Sequence, residues 1–150
     1  MSAPRDPVFR RRLISALILG PLAVALLWVG DLAFTAWVAA FAAAMAWEWI
    51  HMSDQDAPPV AYAIACATAS GTVLLAGQTS VMDALAWGAA GTLASGIERW
   101  RRGWSSEVLG ILYVSLSAAL LAAMRAEPEH GLKALILLFA IVWAADSLAY

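Results

Sequence analysis

The sequence predicts an all-α, polytopic integral membrane protein with about six transmembrane helices, and three observations predict it. Of 150 residues, 63% are hydrophobic and only 13% charged, with eight tryptophans, whereas a soluble domain normally has about 45–50% apolar and about 25% charged residues. Mean hydropathy is +0.76. Six apolar runs lie between polar punctuation: Leu13–Val29, Leu32–Ile50, Val60–Ala76, Val81–Ile97, Val108–Met124 and 134–150. Each has 17 to 19 residues, which at helical rise gives roughly 25–28 Å, enough for a thin bilayer with little to spare.

Arg10-Arg11-Arg12 precede the first run, leaving residues 1–12 as a basic cytoplasmic N-terminus. Ala23-Val24-Ala25 has the spacing of a signal-peptidase site, but Leu26, Leu27 and Val29 continue the apolar run, which favours an uncleaved anchor. Segment two ends at the polar turn His51–Pro59, rich in Asp54, Asp56, Pro58 and Pro59. Segment four is the least apolar, because Asp83 stands near its start and Gly88, Gly91, Ser95 and Gly96 dilute it. A re-entrant or surface-lying segment is the alternative there, and the same small residues would also let helices approach closely. Segments five and six flank a short polar stretch around Glu127–Gly131.

Orientation follows from the basic residues. With the N-terminus inside, Arg5, Arg10, Arg11, Arg12, Arg99, Arg101 and Arg102 are cytoplasmic and only Arg125 and Lys133 outside, seven of the nine against two. The expected location is the inner, cytoplasmic membrane. Trp28, Trp47, Trp49, Trp100 and Trp104 fall near segment ends, where an amphipathic ring suits the interface, whereas Trp37, Trp87 and Trp143 read as packing residues. A net charge of −2 leaves no basic surplus for phosphate backbones, so no nucleic-acid partner is expected.

Polar residues within this frame are few. His51 and His130 are isolated in turns, and the single Cys66 can form neither an intramolecular disulfide nor a multi-cysteine metal site. Glu48, between Trp47 and Trp49, reads as a carboxylate reaching the interface. Glu98-Arg99-Trp100-Arg101-Arg102 is explained by the positive-inside signal, with attraction of anionic lipid head groups as the sharper reading.

Asp146 stands apart. A carboxylate at mid-bilayer depth costs roughly 2.5–3.5 kcal/mol on insertion scales, so it is kept where it faces a cavity, an ion or a partner. Trp143, Asp146, Ser147 and Tyr150 share one helical face and could line a polar cavity. A partly wet carboxylate paired with a neighbouring helix is the equally weighted reading.

Several matches in order carry a resemblance: the basic run before helix one and Gly20-Pro21, Ala46-Trp47-Glu48-Trp49, Gly110-Ile111-Leu112-Tyr113, Arg125 and Gly131, and finally Trp143-Ala144-Ala145-Asp146-Ser147-Leu148-Ala149-Tyr150. Through them the chain resembles the phosphatidate cytidylyltransferase, or CDP-diacylglycerol synthase, family. The closing match is the most specific. The resemblance implies condensation of CTP with phosphatidate to CDP-diacylglycerol and pyrophosphate, in phospholipid biosynthesis, with Mg2+ as cofactor. It also implies that Asp146 is catalytic and helps form the nucleotide–metal cavity, with Ser147 and Tyr150 as substrate-binding wall residues. Glu48 and Arg125 match without a role.

The match covers the N-terminal half of the family pattern. Family members continue into a Gly-Arg and Gly-Lys stretch and a Lys-, Asp- and His-Gly-Gly-rich signature, so these 150 residues alone are expected to be inactive. A homodimer through small-residue faces is compatible with the sequence. The competing expectation is a non-enzymatic membrane protein, a transport subunit or assembly partner, that ends at Tyr150. An in-frame continuation with the family signature would favour the enzyme.

Overall fold

A computed structural model describes the backbone of residues 7–100 and 105–148, and the side chains of 18–30, 32–100, 106–146 and 148. Six helices follow one another: α1 (Pro7–Val29), α2 (Asp31–Ser53), α3 (Pro59–Gln78), α4 (Val81–Arg99), α5 (Ser105–Ala126) and α6 (Gly131–Leu148). The described residues contain no strand. An all-α chain is what a bilayer demands, because a helix satisfies its backbone polar groups within itself. Among the described residues, Leu32–Ser53, Pro59–Gln78 and Ser106–Ala126 are long and apolar enough to cross a membrane.

Local chemistry sets the boundaries. Pro59 opens α3 at its first position, where its missing N–H is no loss. Ser80 caps α4, accepting from the Asp83 amide at 3.1 Å and donating to the Asp83 carboxylate at 2.7 Å. Asp83 is therefore part of a helix-start signal. α4 is one continuous 19-residue helix, and it packs on α3 and α5.

The centre is α3, which packs against α2, α4 and α5. Ala42, Ala46, Ala65 and Ala69 are buried, so the α2 and α3 backbones meet over methyl groups, with Phe34, Ile50, Val73 and Ile111 filling the wider places. Buried hydroxyls are satisfied locally: Thr68 donates to the Ile64 carbonyl at 2.7 Å, Thr72 to Thr68 at 2.6 Å and Ser115 to Ile111 at 2.6 Å. Trp49 lies over Gly110, where a Cβ would collide with its ring, and its indole N–H donates to the Ser106 carbonyl at 3.1 Å. This half-buried ring thus ties α2 to α5 as well as standing near a helix end. α1 and α6 are peripheral, packing chiefly on α2 and α5 respectively.

Candidate functional site

Asp146 sits two residues before the end of α6, and its side chain is exposed with no described hydrogen bond or ion pair. Residues 141–146 are exposed all round the helix. Trp143, 54% exposed, borders a crevice of about 850 Å3 whose other walls are Gly20, Pro21, Val24, Ala25, Trp28 and Val29 of α1. Every described wall residue is apolar, so on its α1 side Trp143 borders a greasy cleft. The Ser147 side chain and all of Tyr150 lie outside the described residues. Glu48 is exposed on α2, five residues before the helix ends at Ser53.

The charged constellation the structure does assemble is elsewhere. Arg99, in the last turn of α4, is 1% exposed. Its Nη2 donates to Asp54 Oδ2 at 2.5 Å and to Glu107 Oε1 at 2.7 Å, and its Nε lies 2.5 Å from Glu107 Oε2 and 3.8 Å from Glu98 Oε2. One guanidinium therefore joins the α2–α3 turn, the end of α4 and the first turn of α5. The Glu107 hydrogen bond raises the Arg99 pKa most, burial opposes it and Asp54 adds to the rise, so the group stays charged. Within the Glu98–Arg102 cluster this takes Arg99 alone out of the lipid reading: its charge is neutralised inside the protein and is not offered to head groups. Residues 101–104 lie outside the described residues. Sequence reasoning missed the pairing because its partners are 45 and 8 residues away. The available signal was an acid in the first turn of α5 facing a basic residue in the last turn of α4.

At the opposite helix ends, half-buried Arg125 donates from Nε to the Leu27 carbonyl at 2.8 Å and from Nη2 to the Trp28 carbonyl at 3.5 Å. It closes α1, whose final carbonyls have no partner within the helix and carry partial negative charge. The guanidinium lies so near Gly30, the one described residue with positive φ (71°), that a Cβ there would collide with it. Arg125 thus acquires a structural role.

No three His, Cys, Asp or Glu side chains among the described residues are grouped to hold a metal. Asp146 offers one hard oxygen ligand, and the acids around Arg99 already face a cation. These residues do not by themselves make a magnesium site.

Fold and charge distribution define a polytopic all-α membrane protein whose ionisable groups gather at helix ends. More narrowly, the chain belongs to the Cytidylyltransferase family, whose sequence model matches residues 10–150. It is 29% identical over 141 residues to the proteins named phosphatidate cytidylyltransferase of Brucella abortus biovar 1 (strain 9-941) and Brucella suis biovar 1 (strain 1330). The alignments cover 93% of this chain and 52% of each relative, so the chain spans about half the length of the curated relatives it matches. No solved structure matches it. The non-enzymatic alternative gains nothing from these likenesses.

Proposed function

We propose that the full-length protein transfers the cytidylyl group of CTP to phosphatidate, forming CDP-diacylglycerol and releasing pyrophosphate. The observation that carries this reading is the family match over residues 10–150, together with the names of the relatives. The protein would work in the cytoplasmic membrane with its N-terminus inside, since seven of nine basic residues then lie on the cytoplasmic side.

The reaction brings a lipid phosphate oxygen to the α-phosphorus of a water-soluble triphosphate, which requires crowded negative charge to be positioned and neutralised. Magnesium would supply that neutralisation when bound, and it commonly takes only one or two carboxylates with the remaining ligands from phosphates and water. Asp146 suits such a shared role. Its exposed carboxylate near the end of α6 would hold an oxygen toward the nucleotide, directly or through water, with Ser147 and Tyr150 of the same face as neighbouring wall. Arg99 and its acids would fix the helix ends on that same cytoplasmic side, away from the reacting atoms.

The test uses purified full-length protein in mixed micelles with phosphatidate and CTP labelled at either the α- or the γ-phosphate. Label from the α position should enter the chloroform-soluble product, while γ label should leave as pyrophosphate. Entry of γ label into lipid, or no transfer by folded protein, would remove the assignment.

A further inference from the structure

A small polar pocket of about 270 Å3 is lined by Thr35, Gly77, Arg125, Ala126, Glu127 and Pro128. Its position is informative. Thr35 lies near the start of one helix long enough to cross a membrane, Gly77 is one residue from the end of the second, and Arg125 is one residue from the end of the third. All three candidate spans therefore reach the interface at this pocket, which sets it at the depth of lipid head groups. Asp146 is distant from it. Between Arg125 and Asp146 runs the whole of α6, and 15 residues from Gly131 to Asp146 span about 22 Å at helical rise.

The charges of the pocket are separate. Arg125 is held by two backbone carbonyls, which orient its guanidinium but bring only partial charge, and no described carboxylate lies within ion-pair distance. Arg99, by contrast, faces three acids. The second charge on the wall, Glu127, is exposed and makes no described side-chain bond. A fixed guanidinium is suited to a phosphate group. A carboxylate beside it disfavours a purely anionic ligand and favours one that adds a cation a short way from its phosphate.

We propose that this pocket binds the head group of a zwitterionic phospholipid, with the phosphodiester on Arg125 and the ammonium toward Glu127, at a site separate from Asp146. Thr35 and Gly77 form the inner wall: Thr35 is 3% exposed, and a Cβ at residue 77 would press on its hydroxyl and methyl groups. The inference does not depend on the proposed reaction, because it is read by binding rather than turnover.

The experiment measures thermal stabilisation of purified full-length protein in detergent on titration with dioleoyl-phosphatidylethanolamine, dioleoyl-phosphatidylglycerol or soluble phosphoethanolamine. A ligand that binds only the folded state raises the melting temperature with the logarithm of its concentration over its Kd, so the ligand concentrations that give equal shifts compare affinities. Wild type should bind the ethanolamine lipid about tenfold or more tightly than the glycerol lipid, a ratio of the size a single favourable charge contact gives. Glu127→Gln should collapse that preference to near unity, with glycerol-lipid binding equal or tighter. Arg125→Gln should weaken both lipids, but it also opens the end of α1, so Glu127→Gln carries the decision. Equal binding of the two lipids by wild type would overturn the proposal, as would a preference that survives Glu127→Gln. Full stabilisation by soluble phosphoethanolamine at the same concentrations would replace the lipid by a free phosphate ester and overturn it as well.

Discussion

Asp146→Asn in the full-length protein is expected to lower cytidylyl transfer by about a hundredfold or more while leaving the amount and melting temperature of the folded protein unchanged. The size follows from what the carboxylate is asked to do: loss of a partner that only orients a metal ligand typically costs about 10–100-fold, so loss of a carboxylate that holds the metal or its water should cost at least the upper end of that range. The neutrality of folding follows from the structure. Asp146 is exposed, lies in a stretch of α6 exposed all round, and has no described partner whose hydrogen bond asparagine would abandon. The check is a turnover measurement with α-labelled CTP beside a thermal melt of the same preparation. A wild-type rate would take Asp146 out of the mechanism. A lowered melting point with full specific activity would make it a helix-pairing residue instead.

Arg99→Met should have the largest effect on stability, about 3–5 kcal/mol, because it leaves carboxylates of Asp54 and Glu107 facing one another in a site built around a cation. Glu107 is 5% exposed, so water does not readily replace the lost guanidinium. Arg99→Lys should recover only part of the loss. Its ammonium is a point charge and lacks the planar fork that reaches Asp54 from Nη2 and Glu107 from both Nε and Nη2. The triple variant Arg99→Met, Asp54→Asn, Glu107→Gln should be markedly more stable than Arg99→Met alone, since it removes the unpaired charges together with their partner. The measurement is the melting temperature and the monodisperse fraction in detergent. A single variant that melts with wild type would show that the cluster does not hold the α2–α3 turn to α4 and α5.

Much of the architecture is legible in the sequence because it depends on local signals. Five breaks, at Gly30, Asp54–Pro58, Thr79-Ser80, Arg101–Gly103 and Glu127–His130, interrupt the apolar runs at helical lengths, and the six helices lie between them, α2 continuing to Ser53 through the start of the turn expected from His51. The family is legible as well, through the short tract ending in Trp143–Tyr150. What the sequence conceals is tertiary. Arg99 sits in a run of arginines that reads as a surface signal, and only the folding of the α2–α3 turn over the end of α4 reveals it as buried. Arg125 matches a family pattern with no visible purpose until α5 ends beside the open carbonyls of α1, 98 residues earlier. Asp146 is the converse case: its helix and face follow from spacing, but periodicity cannot state what stands opposite, and the nearest described walls, around Trp143, are apolar.

The role given to Asp146 presupposes that α6 brings its acid to the cytoplasmic side, where CTP and an inner-leaflet lipid meet. The direct measurement places a single thiol next to it, Leu148→Cys in a full-length background from which Cys66 and every other cysteine has been replaced by alanine, since Leu148 is 87% exposed. Reaction with a membrane-impermeant maleimide is predicted in inside-out vesicles and not in right-side-out ones. Labelling in right-side-out vesicles alone would put Asp146 on the far side of the bilayer and contradict the account.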